Sequence, residues 1–267
     1  MNKFLDSGFY RKKARRYWSK LYWERLYDLD RVRDLERRRF ENAGLSFDDA
    51  LKQLNGILRE LGKPEFGSKN GIGSIHWILF CCISQVSSIK SILEIGTFDG
   101  ETTLLLSKVF PNADIVTFDL PDDDPIFSTS YQREDPNYLK EFKTNQQDNL
   151  RDDRIAFIEK NSFFLPAMVD RKFDLIWIDG GHLYPEISWD ICNAYHLCNP
   201  GGWIMCDDIM LNEKGYRNGY VSPDSHEILE YVKNRTNEEI DYFLKRETAK
   251  ASADPRKRKH VAVLRKS

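Results

Sequence analysis

Three aspartates and a histidine stand where short apolar runs stop: Asp179 and His182 in Ile178-Asp-Gly-Gly-His182, and Asp207 and Asp208 after Gly201-Gly-Trp-Ile-Met-Cys206. Carboxylates that converge without a cation repel one another and are costly to desolvate. An oxygen-rich cluster of this kind suits Mg²⁺, which takes a few carboxylates and keeps some of its water. Such an ion orients a substrate hydroxyl and lowers its pKa, leaving Asp179 or His182 to remove the proton. The same residues also allow a plainer role, with Asp207 and Asp208 capping the next turn and Asp179 anchoring backbone amides. Asp190, inside an expected helix, reads as structural.

A second constellation is Glu94-Ile-Gly-Thr-Phe-Asp-Gly100, which ends one apolar run and opens a helical stretch. Glycine permits a sharp turn and close approach of backbone to a ligand, and a helix N-terminus offers unpaired amides. A dinucleotide fingerprint spaces its glycines G-x-G-x-x-G around a pyrophosphate. Here the spacing is G-x-x-x-G with the acidic Glu94 before it, which suits a ligand lacking phosphates. Asp119, at the end of the next apolar run, stands where an acid accepts hydrogen bonds from a ribose diol.

To gather these groups, the ends of separate runs must share one edge. Expected strands are Ser91–Ile95, Asp114–Phe118, Ile155–Glu159, Leu175–Asp179, Trp203–Asp207, Asp241–Lys245 and His260–Leu264. Expected helices between them are Glu101–Val109, Phe163–Val169, Pro185–Cys198 and Asp224–Lys233. Alternation of this kind builds βαβ units and a mainly parallel sheet, whose ligand crevice lies at the carboxyl ends of the strands. The last two strands have no helix between them and read as an antiparallel hairpin.

Residues 73–267 form this α/β domain, and residues 1–72 read as a helical extension. The extension opens with one helix from about Gly8 to Ala43, carrying Trp18, Leu21, Tyr22 and Leu26 on one face and Arg11, Lys12, Lys20 and Arg25 on the other. A second helix runs from a Ser46 cap to Leu61. The aromatic stripe is expected to pack on the domain or on a second copy, with nucleic acid disfavoured as its partner. Pro121–Arg151 is too long and polar for a simple connection and reads as a lid or binding segment. Met210–Pro223, with Lys214, Tyr216, Arg217 and Tyr220, follows the aspartate pair and reads as an acceptor-binding loop.

The 267 residues suit one large domain with an appendage, and the net charge of −2 gives no global pull toward nucleic acid or anionic membrane. The first ten residues carry no secretory signal. The longest apolar stretch, Ile75–Val86, is shorter than the about 20 residues a bilayer span requires. Cys81, Cys82, Cys192, Cys198 and Cys206 include no C-x-x-C pair and read as free thiols in a reducing cytoplasm, without disulfides or structural zinc.

Glu94 to Gly100 resembles the first motif of class I S-adenosylmethionine-dependent methyltransferases, and Asp119 resembles their acidic ribose ligand. Asn161-Ser162 resembles the position beside the adenine, and the terminal hairpin resembles their sixth and seventh strands. The resemblance covers residues 73 to the end. It implies a Rossmann-like, seven-stranded, mostly parallel α/β sheet with an antiparallel C-terminal hairpin. It also implies S-adenosyl-L-methionine held by Glu94, Gly96, Thr97, Gly100, Thr102, Asp119, Ser162 and Asp179. The pattern I-D-G-x-H-x-Y-x-x-x-x-D, here Ile178 to Asp190, followed by G-G-x-x-x-x-D-D, resembles the metal-dependent sugar O-methyltransferases of the macrocin O-methyltransferase type. That likeness implies Mg²⁺ at Asp179, Asp207 and Asp208, with Asp179 doubling as base. Gly181, where relatives carry an acid, and Ile209, where an aromatic residue is common, depart from the pattern. The implied activity is methyl transfer to a hydroxyl of a small molecule or glycan. Methylation of RNA or protein through the basic N-terminal arm, and a non-catalytic binding role, are the alternatives.

Overall fold

The computed structural model describes residues 7–67, 73–129, 133–211 and 222–267. Four helices precede the sheet: α1 (Ser7–Leu26), α2 (Leu29–Asn42), α3 (Phe47–Glu60) and α4 (Ile75–Val86). The single helix expected from Gly8 to Ala43 is thus two. No proline or glycine breaks it. Asp28 caps α2 by accepting from the Arg31 amide at 3.0 Å, while the Tyr27 hydroxyl donates to the Glu247 carbonyl at 2.7 Å. Ser46 holds the N-cap position of α3 but makes no side-chain cap bond; its hydroxyl donates to Asp49 instead, at 2.8 Å.

Among the described residues, seven strands form one sheet in the order β3-β2-β1-β4-β5-β7-β6. They are β1 (Ser91–Ile95), β2 (Asp114–Asp119), β3 (Ile155–Glu159), β4 (Phe173–Ile178), β5 (Cys198–Ile209), β6 (Ile240–Leu244) and β7 (His260–Arg265). The pairs among β1 to β5 are parallel, whereas β7 runs antiparallel to both β5 and β6. The expected fold class is the observed one. The remaining helices are α5 (Glu101–Val109), α6 (Pro125–Thr129), α7 (Pro136–Asn149), α8 (Leu165–Met168), α9 (Glu186–Leu197), α10 (Asp224–Thr236) and α11 (Ala249–Ser252).

The central strands are apolar on both faces because both faces are covered, as parallel sheets require. Leu175, Trp177, Trp203 and Met205 point into one buried cluster with α3, α4 and α5. Ile176, Ile178, Ile204 and Cys206 alternate with them and point into a second, with α9 and α10. Phe40 and Phe47 of the helical extension lie in the first cluster, and Phe40 meets Phe243 of β6 with ring centroids 4.6 Å apart. Helix α2 also covers the exposed edge of β6: the buried Glu36 carboxylate accepts from the Leu244 amide at 2.8 Å, and Arg39 donates to the Tyr242 carbonyl. An unpaired edge strand invites pairing with other chains, and here the extension occupies it. The aromatic stripe of α1 does not pack on the domain, since Trp18 is 68% exposed.

The described residues of the segment 121–151 are not an open loop. They hold α6 and α7, and the Arg133 guanidinium stacks over Phe127 at 3.9 Å and Phe142 at 4.5 Å. No described helix is long and apolar enough to cross a membrane.

Candidate active site

The glycine turn is built by three strands. The Gly96 amide donates to the Phe118 carbonyl of β2, and the Asp179 amide donates to the Ile95 carbonyl, both at 2.8 Å. Gly96 has φ +100°, and a Cβ there would lie 2.4 Å from the Asp179 carbonyl oxygen. Only glycine lets the ends of β1 and β4 close on each other like this. Phe98 takes a left-handed φ of +51°, held because its amide donates to the Asp119 carboxylate at 2.6 Å. From behind, Gln146 of α7 donates to the Phe98 carbonyl at 2.6 Å and Asn149 to the Asp99 carbonyl at 2.9 Å. The polar insertion is therefore the brace of the turn, and Gln146 and Asn149 carry no motif that would announce it.

Glu94 lies fully buried beneath the turn. One carboxyl oxygen accepts from the hydroxyls of Thr103 and, at 2.7 Å, Thr117; the other, Oε1, is buried with no partner. Thr97 is tied to Thr117 at 2.6 Å. Burial pushes the Glu94 pKa up to about 8, against the lowering effect of the two threonines, with the Asp179 and Asp119 charges adding to the rise. Burial likewise raises Asp119, although the Leu120 and Phe98 amides stabilise its ionised form. Thr102 sits in the first turn of α5, whose N-cap is Gly100 at φ +78°. Ser162 opens a short turn after β3; its carbonyl accepts from the Trp189 indole at 3.1 Å. The Ser162 hydroxyl meets Asp190, whose pKa burial lifts to about 6 against that bond.

At the adjoining strand ends, Asp179 follows β4 while Asp207 and Asp208 belong to β5. Consecutive residues of a regular strand face opposite sides, so two neighbouring carboxylates should diverge. They converge because the β5–β7 register shifts between Cys206 and Ile209 and Asp208 adopts a left-handed φ of +58°. A bulge re-aims side chains in this way. His182 Nε2 then lies 3.6 Å from Asp179 Oδ1 and 3.8 Å from Asp208 Oδ2.

The counter-charge for these acids comes from the terminal hairpin. Lys245 Nζ contacts Asp207 Oδ2 and, at 2.6 Å, Asp208 Oδ1, and Lys259 Nζ contacts Asp208 Oδ2 at 2.6 Å. The two lysines flank β6 and β7 as partners, the Lys245 amide donating to the Lys259 carbonyl at 2.9 Å. They belong to no motif; their signal is positional, since the end of β6 and the start of β7 meet the carboxyl end of β5. Burial would raise the Asp208 pKa, but Lys245, His182 and Lys259 hold it well below the usual carboxylate range. Asp179 is raised by burial and by the Asp207 charge. Burial would lower His182, and the approach of Asp179 together with the charges of Asp179, Asp208 and Asp207 raises it instead.

The arrangement does not fit the divalent ion expected at Asp179, Asp207 and Asp208. Ammonium groups face both Asp208 oxygens and one Asp207 oxygen. Among the described residues, no three His, Cys, Asp or Glu side chains group as metal ligands. The repulsion that called for a metal is answered by lysines.

Residues 93–209, the stretch from the glycine turn to the aspartate pair, match the family model described as a methyltransferase domain. Over this stretch the chain is similar to methyltransferase domains. No curated protein matches it. A solved structure from Klebsiella pneumoniae, provisionally described as an O-methyltransferase, is similar at 14% identity and a TM-score of 0.50, over 88% of this chain and 96% of that one. Another from Staphylococcus aureus, provisionally described as a caffeoyl-CoA O-methyltransferase, is similar at 12% identity and a TM-score of 0.51, over 80% and 91%. At such identities the likeness speaks for the class I methyltransferase fold alone. The turn's own residues, a glycine turn of G-x-x-x-G spacing and an acid at the end of β2, fit a ligand that carries a ribose and no pyrophosphate. The expected acceptor loop is described only at its two ends, residues 210–211 and 222–223; Lys214, Tyr216, Arg217 and Tyr220 lie outside the described residues.

Proposed function

We propose that this chain is an S-adenosylmethionine-dependent methyltransferase that acts on a hydroxyl oxygen of a small molecule or glycan. The observation that carries this reading is the His182–Asp179–Asp208 contact beside the glycine turn, an acid–base group placed at the edge where a methyl acceptor would approach. Glu94, Gly96, Thr97, Gly100, Thr102, Asp119 and Ser162 would hold the donor, with Asp179 at the boundary between donor and acceptor. When bound, S-adenosylmethionine supplies a methyl group activated by its sulfonium charge. The chain's part is to orient the acceptor for in-line attack and to remove its proton. Asp179, raised by burial and by the Asp207 charge, and His182, raised by its aspartate neighbours against the lowering effect of burial, suit that task.

The acceptor side is bounded by a hollow of about 350 Å³ lined by Tyr184, Asp224, Glu227 and Ile228. The Tyr184 amide donates to Asp224 at 3.1 Å, tying the His182 loop to the start of α10. Polar walls of this kind suit a hydroxylated acceptor. Calorimetry with S-adenosylmethionine, followed by measurement of S-adenosylhomocysteine released with hydroxylated acceptors, tests the reading. Donor binding with turnover on a hydroxyl acceptor that is lost in His182→Ala is the expected result. Turnover confined to RNA or protein would refute it.

A further inference from the structure

The acid pair of β5 is arranged around one point, and a side chain of the chain itself occupies that point. The bulge at Asp207 and Asp208 turns two successive carboxylates toward Lys245 Nζ, and the left-handed Asp208 is a backbone state that a non-glycine residue adopts only when its surroundings hold it there. Lys245 has only 13% of its side chain exposed. Its ammonium offers three donors, of which Asp207 and Asp208 take two. Lys259 closes the far side of Asp208, and His182 flanks it at 3.8 Å. A Mg²⁺ ion would need several oxygens at about 2.0–2.1 Å in near-octahedral order, and of the six carboxylate oxygens of Asp179, Asp207 and Asp208 the ammoniums already engage three, leaving Asp207 Oδ1 buried without a partner and Asp179 facing His182. Two cations cannot share that space without strong repulsion.

We propose that Lys245, supported by Lys259, is the resident cation of this site, so that the chain holds its acid pair without a divalent metal. Lys245 is on this view a positioning residue. It fixes Asp208 against His182, and through His182 it sets the orientation of the proton-accepting group. The inference rests on the proposed reading of this rim only for its consequence in catalysis. The pairing itself is independent of which acceptor is methylated.

The test is calorimetric titration of the full chain with MgCl₂ and with MnCl₂, run on the wild type, Lys245→Met, Lys245→Arg and Asp208→Asn, with circular dichroism to establish folding. The wild type and Lys245→Arg are expected to show no saturable binding at millimolar ion, and chelator is expected to leave the wild-type melting temperature unchanged. Lys245→Met empties the cation position and is expected to gain saturable binding of both ions. Saturable binding by the wild type that Asp208→Asn abolishes overturns the inference, as does a folded Lys245→Met that takes up neither ion. Should Lys245→Met not fold, the wild-type and Lys245→Arg titrations decide. Parallel titration with S-adenosylmethionine keeps the two proposals apart: failure of donor binding counts against the proposed function, and ion uptake by the wild type counts against the resident lysine.

Discussion

Glu94→Gln isolates the cost of keeping a carboxyl group beneath the glycine turn. Glu94 is fully buried, its Oε2 accepts two threonine hydroxyls, and its Oε1 has no partner. Burial pushes its pKa from the ordinary 4.5 up to about 8. In the unfolded chain the group ionises near its ordinary value; in the folded chain it keeps its proton until the pH is far higher. Between those limits the folded state binds about one proton more than the unfolded state, so stability falls as pH rises, by about 1.4 kcal/mol per pH unit. The contribution is fully present below the unfolded pKa and is lost as the pH climbs through the folded one. Glutamine copies the neutral form in shape and cannot ionise. Its oxygen can accept from Thr103 and Thr117, and its amide takes the place of the unpartnered oxygen.

The stability of Glu94→Gln relative to wild type should therefore grow by on the order of 3 kcal/mol between about pH 5.5 and pH 7.5, then level off above about pH 8. Urea unfolding at half-unit pH intervals, followed by tryptophan fluorescence, measures that difference directly, since the buried Trp177 reports on the sheet core. Other titrating groups act equally on both proteins and cancel in the comparison. Parallel stability–pH curves, or a variant that loses ground as pH rises, would refute the reasoning.

Gly96→Ala forces a methyl group to within 2.4 Å of the Asp179 carbonyl oxygen at φ +100°, so thermal melts should show a loss of about 3 kcal/mol or more, with donor binding abolished. Asp119→Ala removes the acceptor for the Phe98 and Leu120 amides, and calorimetry should show S-adenosylmethionine affinity reduced at least about tenfold, or about 1.4 kcal/mol. Gln146→Ala frees the Phe98 carbonyl, which should cost about 1 kcal/mol in urea melts and weaken donor binding without touching the acid rim. His182→Ala should lower kcat by about a hundredfold or more on a hydroxyl acceptor while leaving donor affinity intact.

What could be read in the sequence was whatever local pattern controls. Strands β1 and β3 and helix α5 begin and end where their apolar runs and flanking glycines or acids place them. Strand β5 runs longer than its apolar stretch, to Cys198–Ile209, because tertiary bonds extend it: the Gly201 amide pairs with the Lys266 carbonyl at 2.7 Å and the Lys266 amide with Gly202 at 2.9 Å. The break between α1 and α2 was not legible, since a contact with Glu247, far along the chain, helps fix it. Nor was α7, whose burial rests on Phe142 and Gln146 within an otherwise polar helix. In the site, the carboxylates announce themselves at strand ends. The lysines that neutralise them depend on the register of the hairpin, which no local pattern encodes.

The carboxyl groups along this rim differ chiefly in whether a cation touches them, and that difference assigns their roles. Glu94 has only hydroxyls for company, so burial leaves it with a proton into mildly alkaline pH. Asp208 has Lys245 and Lys259 against its two oxygens, so it stays ionised throughout the physiological range. Asp179 lies between them. It touches no ammonium group among the described contacts, feels the Asp207 charge, and shares its charge with His182. Groups whose environments push their pKa values apart reveal which can exchange a proton near neutrality. On the proposed reading the neutral Glu94 would shape the donor cradle, the fixed charge of Asp208 would orient His182, and the Asp179–His182 pair would be left to accept the hydroxyl proton.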